Sequence, residues 1–436
     1  MTPDLEDRLR SALDERAMEI TPGPPPGGLA GTIRRRRGRR IAGVGALAMA
    51  VVAGVVAVVA TVPLRALTDP APALPANPAA PVSTGTVAPL PDGPLAARQD
   101  VSAVWTGSQF LVWGGRSVTE DAMNYHADGA SYDPTAKTWR KLPASPLSAR
   151  AGHQAIWTGT EMIVWGGRGT SPEFPDRDGA AYHPGTGRWR TIASNPRDGR
   201  EWGKPLRVAG KVVIVGGQGS RDRSAGDTVL VYDPATDRWS QFPATHRVHD
   251  AVGTPRGTLI LAQVDDANHL YLQEVTLAGV ARTGPARAPE PFPVSWLGLA
   301  ISDDTLMLAV TDRPAERARV LTGQLTANGL PTDWSTAQLP TSIQPSVAVD
   351  THHRGLAVAL NPDALLLAAM PQVAVVDPRN GDVALQTSPA RSDAACGLTG
   401  ALTWTGTSLF SWGGQTCSPH SGITNTSSGL VWTPSE

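Results

Sequence analysis

From residue 86 onward the chain is built of short apolar runs, each stopped by glycine, proline or Asx-type turn formers. The clearest is Ile156–Gly167, IWTGTEMIVWGG, which reads as a strand, a tight turn at Thr158–Thr160, a second strand and a glycine pair. It recurs at Val104–Gly115 (VWTGSQFLVWGG) and Thr403–Gly414 (TWTGTSLFSWGG), and a weaker copy ends at Gly216–Gly217. A second register follows the first three glycine pairs: Tyr132-Asp133-Pro134 with Trp139, Tyr182-His183-Pro184 with Trp189, and Tyr232-Asp233-Pro234 with Trp239. The tyrosines lie 50 residues apart, and turn formers separate each from its tryptophan. One repeat therefore predicts four strands.

The N-terminus follows other rules. Leu5, Leu9 and Leu13 stand four apart among charged residues, which predicts a short amphipathic helix, ended by Pro22–Gly28. The stretch Arg34–Arg40 (RRRRGRR) then abuts Ile41–Leu64, which holds no charged residue. Twenty-four residues at about 1.5 Å each cover the ~30 Å hydrocarbon core. A run of this length, after a 40-residue leader, reads as an uncleaved transmembrane helix rather than a signal peptide, whose apolar region spans about 7–15 residues. The arginine cluster belongs on the cytoplasmic side, so the expectation is a single-pass protein of the cell membrane with an extracytoplasmic C-terminal mass. Ala66–Gly85 carries five prolines and predicts a semi-rigid stalk. The predicted organisation is thus a tail (1–40), a membrane helix (41–64), a stalk (65–85) and a repeat domain (86–436).

The glycine pairs at 114–115, 166–167, 216–217 and 413–414, with the Tyr…Trp pairs seven positions apart, resemble the kelch repeat. A four-stranded unit with a period of about 50 is the size of a kelch propeller blade. The resemblance is strong over 101–243 and 394–433. Between 250 and 390 the glycine pair is missing and only apolar strands remain: Thr258–Val264, Leu270–Thr276, Trp296–Ile301, Thr305–Thr311, Leu356–Leu360 and Ala364–Met370. From Gly217 to Gly414 is 197 residues, four steps of the same length, so the expected fold is all-β, a seven-bladed kelch-like β-propeller. Thr86–Arg98 (TVAPLPDGPLAAR) repeats the end of a unit, Thr138–Arg150 (TWRKLPASPLSAR), while the C-terminus supplies only three strands. Residues 86–90 should therefore complete the last blade beside 429–433, removing two open edges.

Composition adds little that is specific. The formal net charge is -1, so no bulk field recruits nucleic acid. Four lysines stand against 34 arginines, which with abundant Ala, Gly and Pro fits a high-GC bacterial genome. Cys396 and Cys417, the two cysteines, fall opposite each other if the hairpin centred on Gly406-Thr407 continues without a bulge, and an exported domain favours a disulfide between them.

Candidate chemistry is sparse. His352-His353-Arg354 and His246 with His249 lack further ligands at metal spacing. No helix follows the glycine pairs to build a phosphate site, and neither G-x-S-x-G nor H-E-x-x-H occurs. Some kelch propellers are copper radical oxidases, but that chemistry needs a Tyr–Cys link and further Tyr and His ligands, and only five tyrosines exist here. No catalytic constellation, cofactor or metal site is expected. The long segments Arg116–Asp128, Arg168–Asp178, Gln218–Gly226 and Gln415–Ser428 all join strands 2 and 3, and Ala193–Gly203 joins strands 4 and 1, so they emerge on one face. That face gathers Arg150 and His153, at repeat positions, and the candidate ligand-binding residues Arg116, Arg168, Arg200, Trp202, Arg221 and Arg223. The leading expectation is a membrane-tethered module recognising an extracytoplasmic protein or glycan. The alternatives are a propeller enzyme acting on sugars or small molecules, and a transmembrane regulator whose tail acts on a cytoplasmic factor.

Overall fold

The structure, a computed structural model, describes residues 85–434 except 120–121, 171–174, 198, 220–225, 285, 288–293, 313–317, 328, 340–355, 362–363, 370–371, 380–381, 388–399 and 419–421. The chain divides into two compact units, Met1–Asn77 and Pro78–Glu436. The residues expected to form the tail (1–40), the membrane helix (41–64) and the stalk (65–85, Gly85 excepted) lie outside the described residues. No helix among the described residues is long and apolar enough to cross a membrane.

The described residues form seven four-stranded sheets, every strand pair antiparallel. The first runs Ser102–Trp105, Phe110–Trp113, Gly129–Asp133, Thr138–Lys141. The second runs Gln154–Trp157, Met162–Trp165, Gly179–His183, Arg188–Ile192. The third runs Lys204–Val208, Lys211–Val215, Thr228–Asp233, Arg238–Pro243. The fourth, fifth and sixth come from the stretch without glycine pairs and open with Arg247–Gly253, Val294–Ser302 and Leu356–Asn361. The seventh takes Ala401–Trp404, Leu409–Trp412 and Gly429–Pro434 from the C-terminus and Gly85–Pro89 from the start of the domain. Thr86 pairs with Thr433, Val87 with Trp432 and Ala88 with Val431, as the matching of Thr86–Arg98 to Thr138–Arg150 predicts.

The arrangement is an all-β propeller. First strands pack on first strands: seventh against first, then in order to the sixth. Side chains tie these inner strands together. Thr403 Oγ1 donates to Ala103 O (3.1 Å) and Ser102 Oγ to His153 O (2.8 Å). Lys204 pairs with Asp250, whose other oxygen accepts from Leu299 N (2.8 Å). Second strands sit between neighbours in their own sheet and between adjacent sheets, so FLVW, MIVW and LFSW are buried at all four positions. Strands enclosed in this way read as continuous apolar runs rather than alternations, and each large side chain so buried stabilises by about 1.5–3 kcal/mol. Fourth strands are mostly exposed, with Trp139 and Trp189 half-buried.

The Tyr…Trp register now has a cause. Each pair lies directly across strands 3 and 4, with ring centroids 5.0–5.1 Å apart for Tyr132–Trp139, Tyr182–Trp189 and Tyr232–Trp239. The indole nitrogens then reach a backbone oxygen of the preceding unit's exit loop: Trp139 to Pro91 O (2.9 Å), Trp189 to Pro143 O (3.1 Å), Trp239 to Ala193 O (2.7 Å). The glycine pairs are required twice over. All have positive φ, from 61° to 99°, and a Cβ on Gly217 or Gly413 would stand 2.7 Å from Glu201 O or 2.8 Å from Arg98 O.

Candidate functional site

On the face carrying the long strand 2–3 segments, a buried arginine recurs just ahead of each of the first three sheets. Arg98, Arg150 and Arg200 are no more than 1% exposed. Each donates from Nη1 to the carbonyl of the first glycine of a pair sixteen residues on: Gly114 O (3.3 Å), Gly166 O (3.2 Å) and Gly216 O (3.1 Å). Arg98 also binds Asp128 (2.5 Å), and Arg150 binds Asp178 (2.7 Å) with Asp176 at 3.6 Å. These guanidiniums lock the loop joining two sheets onto the loop leaving strand 2. Arg200 is therefore an internal fastener, and its guanidinium is held on Gly216 rather than presented to a ligand.

Two residues beyond each arginine the backbone turns left-handed, at Asp100 (φ 54°), Gly152 (φ 65°) and Trp202 (φ 54°). Gly152 N donates to Asp100 O (3.3 Å) and Trp202 N to Gly152 O (2.7 Å), so these three positions form a hydrogen-bonded collar across three sheets. A tryptophan in this conformation is unusual and costs of order 1 kcal/mol. Its indole lies across Gly152, where a Cβ would stand 2.8 Å from Nε1.

The intervening residues Gln99, Ala151 and Glu201 pair through the backbone with Arg116, Arg168 and Gln218, the residues just after each glycine pair. This brings the charged side chains together. Arg116 Nε donates to Asp100 Oδ2 at 2.5 Å, and Arg168 Nη2, on a side chain 43% exposed, reaches the buried Glu201 Oε1 at 3.4 Å. Glu201 Oε2 is buried and has no hydrogen-bond partner among the described residues. Burial pushes the Glu201 carboxyl up to about 7; the guanidiniums of Arg168 and Arg116 pull the other way, and Asp100 adds to the rise. His153 lies buried with its ring edge-on to Trp113 (5.0 Å). Burial, helped by the positive charge of Arg150, lowers it to about 3, so it is neutral at physiological pH.

The long segments are not bare loops. Arg116–Val118 pairs with Met123–Tyr125, and Gln415–Ser418 with Gly422–Asn425, giving two small hairpins on the same face. They are neighbours: Val118 N donates to Asn425 Oδ1 (2.7 Å), and Asn425 Nδ2 to Gln99 Oε1 (3.3 Å). Val118 and Met123 pair directly and are two of the three exposed large hydrophobic residues among those described, at 38% and 49%. Of the six arginine and tryptophan candidates, Arg116, Arg168 and Trp202 share this region, Arg200 is buried beneath it, and Arg221 and Arg223 lie outside the described residues. Cys396 also lies outside them, and with it the disulfide; the backbone of Cys417 pairs with Ile423. No group of three metal-ligating side chains occurs among the described residues. Asp100, Glu201 and Asp128 were not singled out from sequence. The signal available was the spacing of Arg98, Arg150 and Arg200, sixteen before each glycine pair.

The sequence matches a family model described as the KLHDC2/KLHL20/DRC7 Kelch-repeats domain over residues 84–271. Residues 84–271 are kelch repeats. The match covers the sheets that contain the arginine–glycine fasteners and the collar, so those features lie within the kelch region. A solved chain titled "Structure of YjhT" is similar over 80% of this chain and 99% of its own, at 15% identity and a TM-score of 0.44, a likeness too loose to add to the fold. No curated protein matches this chain.

Proposed function

We propose that this kelch propeller is a recognition module that takes a protein partner on its strand 2–3 face. The reading rests chiefly on one observation: two adjacent hairpins stand on this face, and the one that follows the first glycine pair carries the exposed Val118–Met123 pair, with Arg116 Nη1 3.4 Å from Met123 Sδ. Methionine and arginine are both enriched at the centres of protein interfaces. Kelch propellers commonly serve as interaction modules, although a fold alone does not fix a function.

The reading extends to the cell. Residues 41–64 tether the module in the cell membrane as a single span, with the tail 1–40 cytoplasmic and the propeller extracytoplasmic; length, lack of charge and the preceding arginines support this. The seven sheets close as seven blades of one ring. Glycans remain a ligand class compatible with Trp202 and the paired charges.

Proximity labelling from the propeller in intact cells tests the partner. A defined set of extracytoplasmic proteins should be labelled by the wild type and lost with Val118→Asp/Met123→Asp at equal protein level. An unchanged set would overturn the choice of face. Protease added to intact cells or spheroplasts should remove the propeller and spare the tail; a protected propeller would overturn the orientation.

A further inference from the structure

A second feature lies on the opposite side, that of the short strand 1–2 turns. An open cleft of about 640 Å³ separates the seventh and first sheets. Its floor is aromatic: Trp105 stacks on Phe410 (5.9 Å, 17°), which also contacts Tyr132 (6.1 Å). Ala88, Ser408 and Lys137 line its edges.

The repeat explains why it is open. Strands 2, 3 and 4 place Phe410, Val431 and Ala88 in one row of the seventh sheet. The same row in the second sheet is Ile163, Ala181 and Arg190, and in the first Leu111, Ser131 and Arg140. Between the second and third sheets, Arg190 fills the space. Its guanidinium donates to both oxygens of Glu161 (3.0 and 2.6 Å) and hydrogen-bonds the Tyr232 hydroxyl, which itself donates to Asp237 (2.7 Å). Between the seventh and first sheets every member of that set except the tyrosine, Tyr132 here, is replaced. Ala88 stands for Arg190, Ser408 for Glu161 and Lys137 for Asp237, the last two residues sharing φ 53°. An arginine held by one carboxylate directly and by a second through Tyr232 has become a void with one lysine at its rim. Lys137 makes no ion pair with the described residues. The carboxylate of the nearby Asp133 is turned into its own turn, accepting from Thr135 N and Ala136 N.

We propose that this cleft binds a small amphiphile with an apolar body and an anionic head. The body lies on Trp105, Phe410 and Tyr132, in the space that an arginine fills elsewhere, and the head meets Lys137. The volume falls in the usual range for small-molecule sites, about 300–1,000 Å³. The sign follows from the substitution: both carboxylates are gone and a cation has come in, so an anion gains and a cation is repelled. The site is independent of the strand 2–3 face.

Equilibrium dialysis of the full chain in detergent against naphthalene-2-sulfonate tests the site. Ala88→Arg restores the side chain found in the first and second sheets and, in the same detergent, subtracts uptake by micelles. Ala88 is exposed, so the variant should fold with an unchanged melting temperature; Lys137→Glu, also on the surface, tests the head separately. One sulfonate should bind per chain, at least tenfold more weakly in either variant, and 2-naphthylmethylammonium should bind at least tenfold more weakly than the sulfonate. Equal uptake by wild type and Ala88→Arg would overturn the site, and so would no uptake by the wild type. Equal binding of the ammonium would overturn the assigned charge.

Discussion

Glu201→Gln should make the protein more stable, and only at the alkaline end. The Glu201 side chain is 1% exposed, and its one ion pair among the described residues is a 3.4 Å approach from Arg168, itself 43% exposed. A half-exposed pair of that kind contributes about 0–1 kcal/mol. Holding the carboxyl at about 7 instead of its ordinary 4.5 corresponds to about 3 kcal/mol, so desolvation outweighs the pairing. Between those values the folded chain binds more protons than the unfolded one, and stability falls as pH rises. The contribution is complete below about 4.5 and gone above about 7. Glutamine keeps the shape and cannot ionise. Urea unfolding from pH 5 to pH 9 should show wild type and variant close together at pH 5, separating to about 3 kcal/mol in favour of the variant at pH 8. Parallel profiles, or a variant that loses stability at pH 8, would refute the assignment of an uncompensated buried carboxyl.

Three further substitutions probe other parts of the account. His153, held at about 3, is neutral when folded and protonates when unfolded below 6.5, so wild type loses stability as pH falls from 6.5 towards 3; His153→Gln should flatten that slope in the same urea series. Arg150→Ala should cost about 3–5 kcal/mol, because the buried Gly166 O loses its donor and Asp176, 6% exposed, loses the guanidinium 3.6 Å away, while Arg190→Ala, from a half-exposed pair, should cost under about 1 kcal/mol; thermal melts of both give the contrast. Gly187→Ala should cost about 1 kcal/mol in the melting curve although nothing lies within 4 Å of the new Cβ, since φ is 64° there.

Much of this architecture is readable in the sequence because the repeat writes it several times. The strands of the degenerate middle emerge where their apolar runs stand: Thr258–Val264 becomes Leu259–Val264, and Trp296–Ile301 becomes Val294–Ser302. Runs enclosed on both sides carry that signal without any glycine pair. The strand 2–3 segments were less legible. Met123-Asn124-Tyr125 has no alternation, and its hairpin forms because Arg116 is already tied to Gln99 and Asp100. Arg200 and Arg168 look alike in sequence, each in a polar loop, yet one is buried on a glycine carbonyl and the other half-exposed. The difference is set by distance to the next glycine pair. Glu201 gave no signal, because what makes it unusual is the lack of a partner for one oxygen, a property of packing alone.

Closure of the ring by the two ends of the domain is the central claim, and one cross-link tests it. Thr86 and Thr433 are directly paired, and paired antiparallel residues have Cα atoms about 4.5–5.5 Å apart, within disulfide range. In a chain with Cys396→Ser and Cys417→Ser, Thr86→Cys and Thr433→Cys should oxidise to a link within one molecule, identified by mass spectrometry after proteolysis, with a raised melting temperature. A folded chain in which these cysteines stay reduced, or join two different molecules, would contradict the closed propeller.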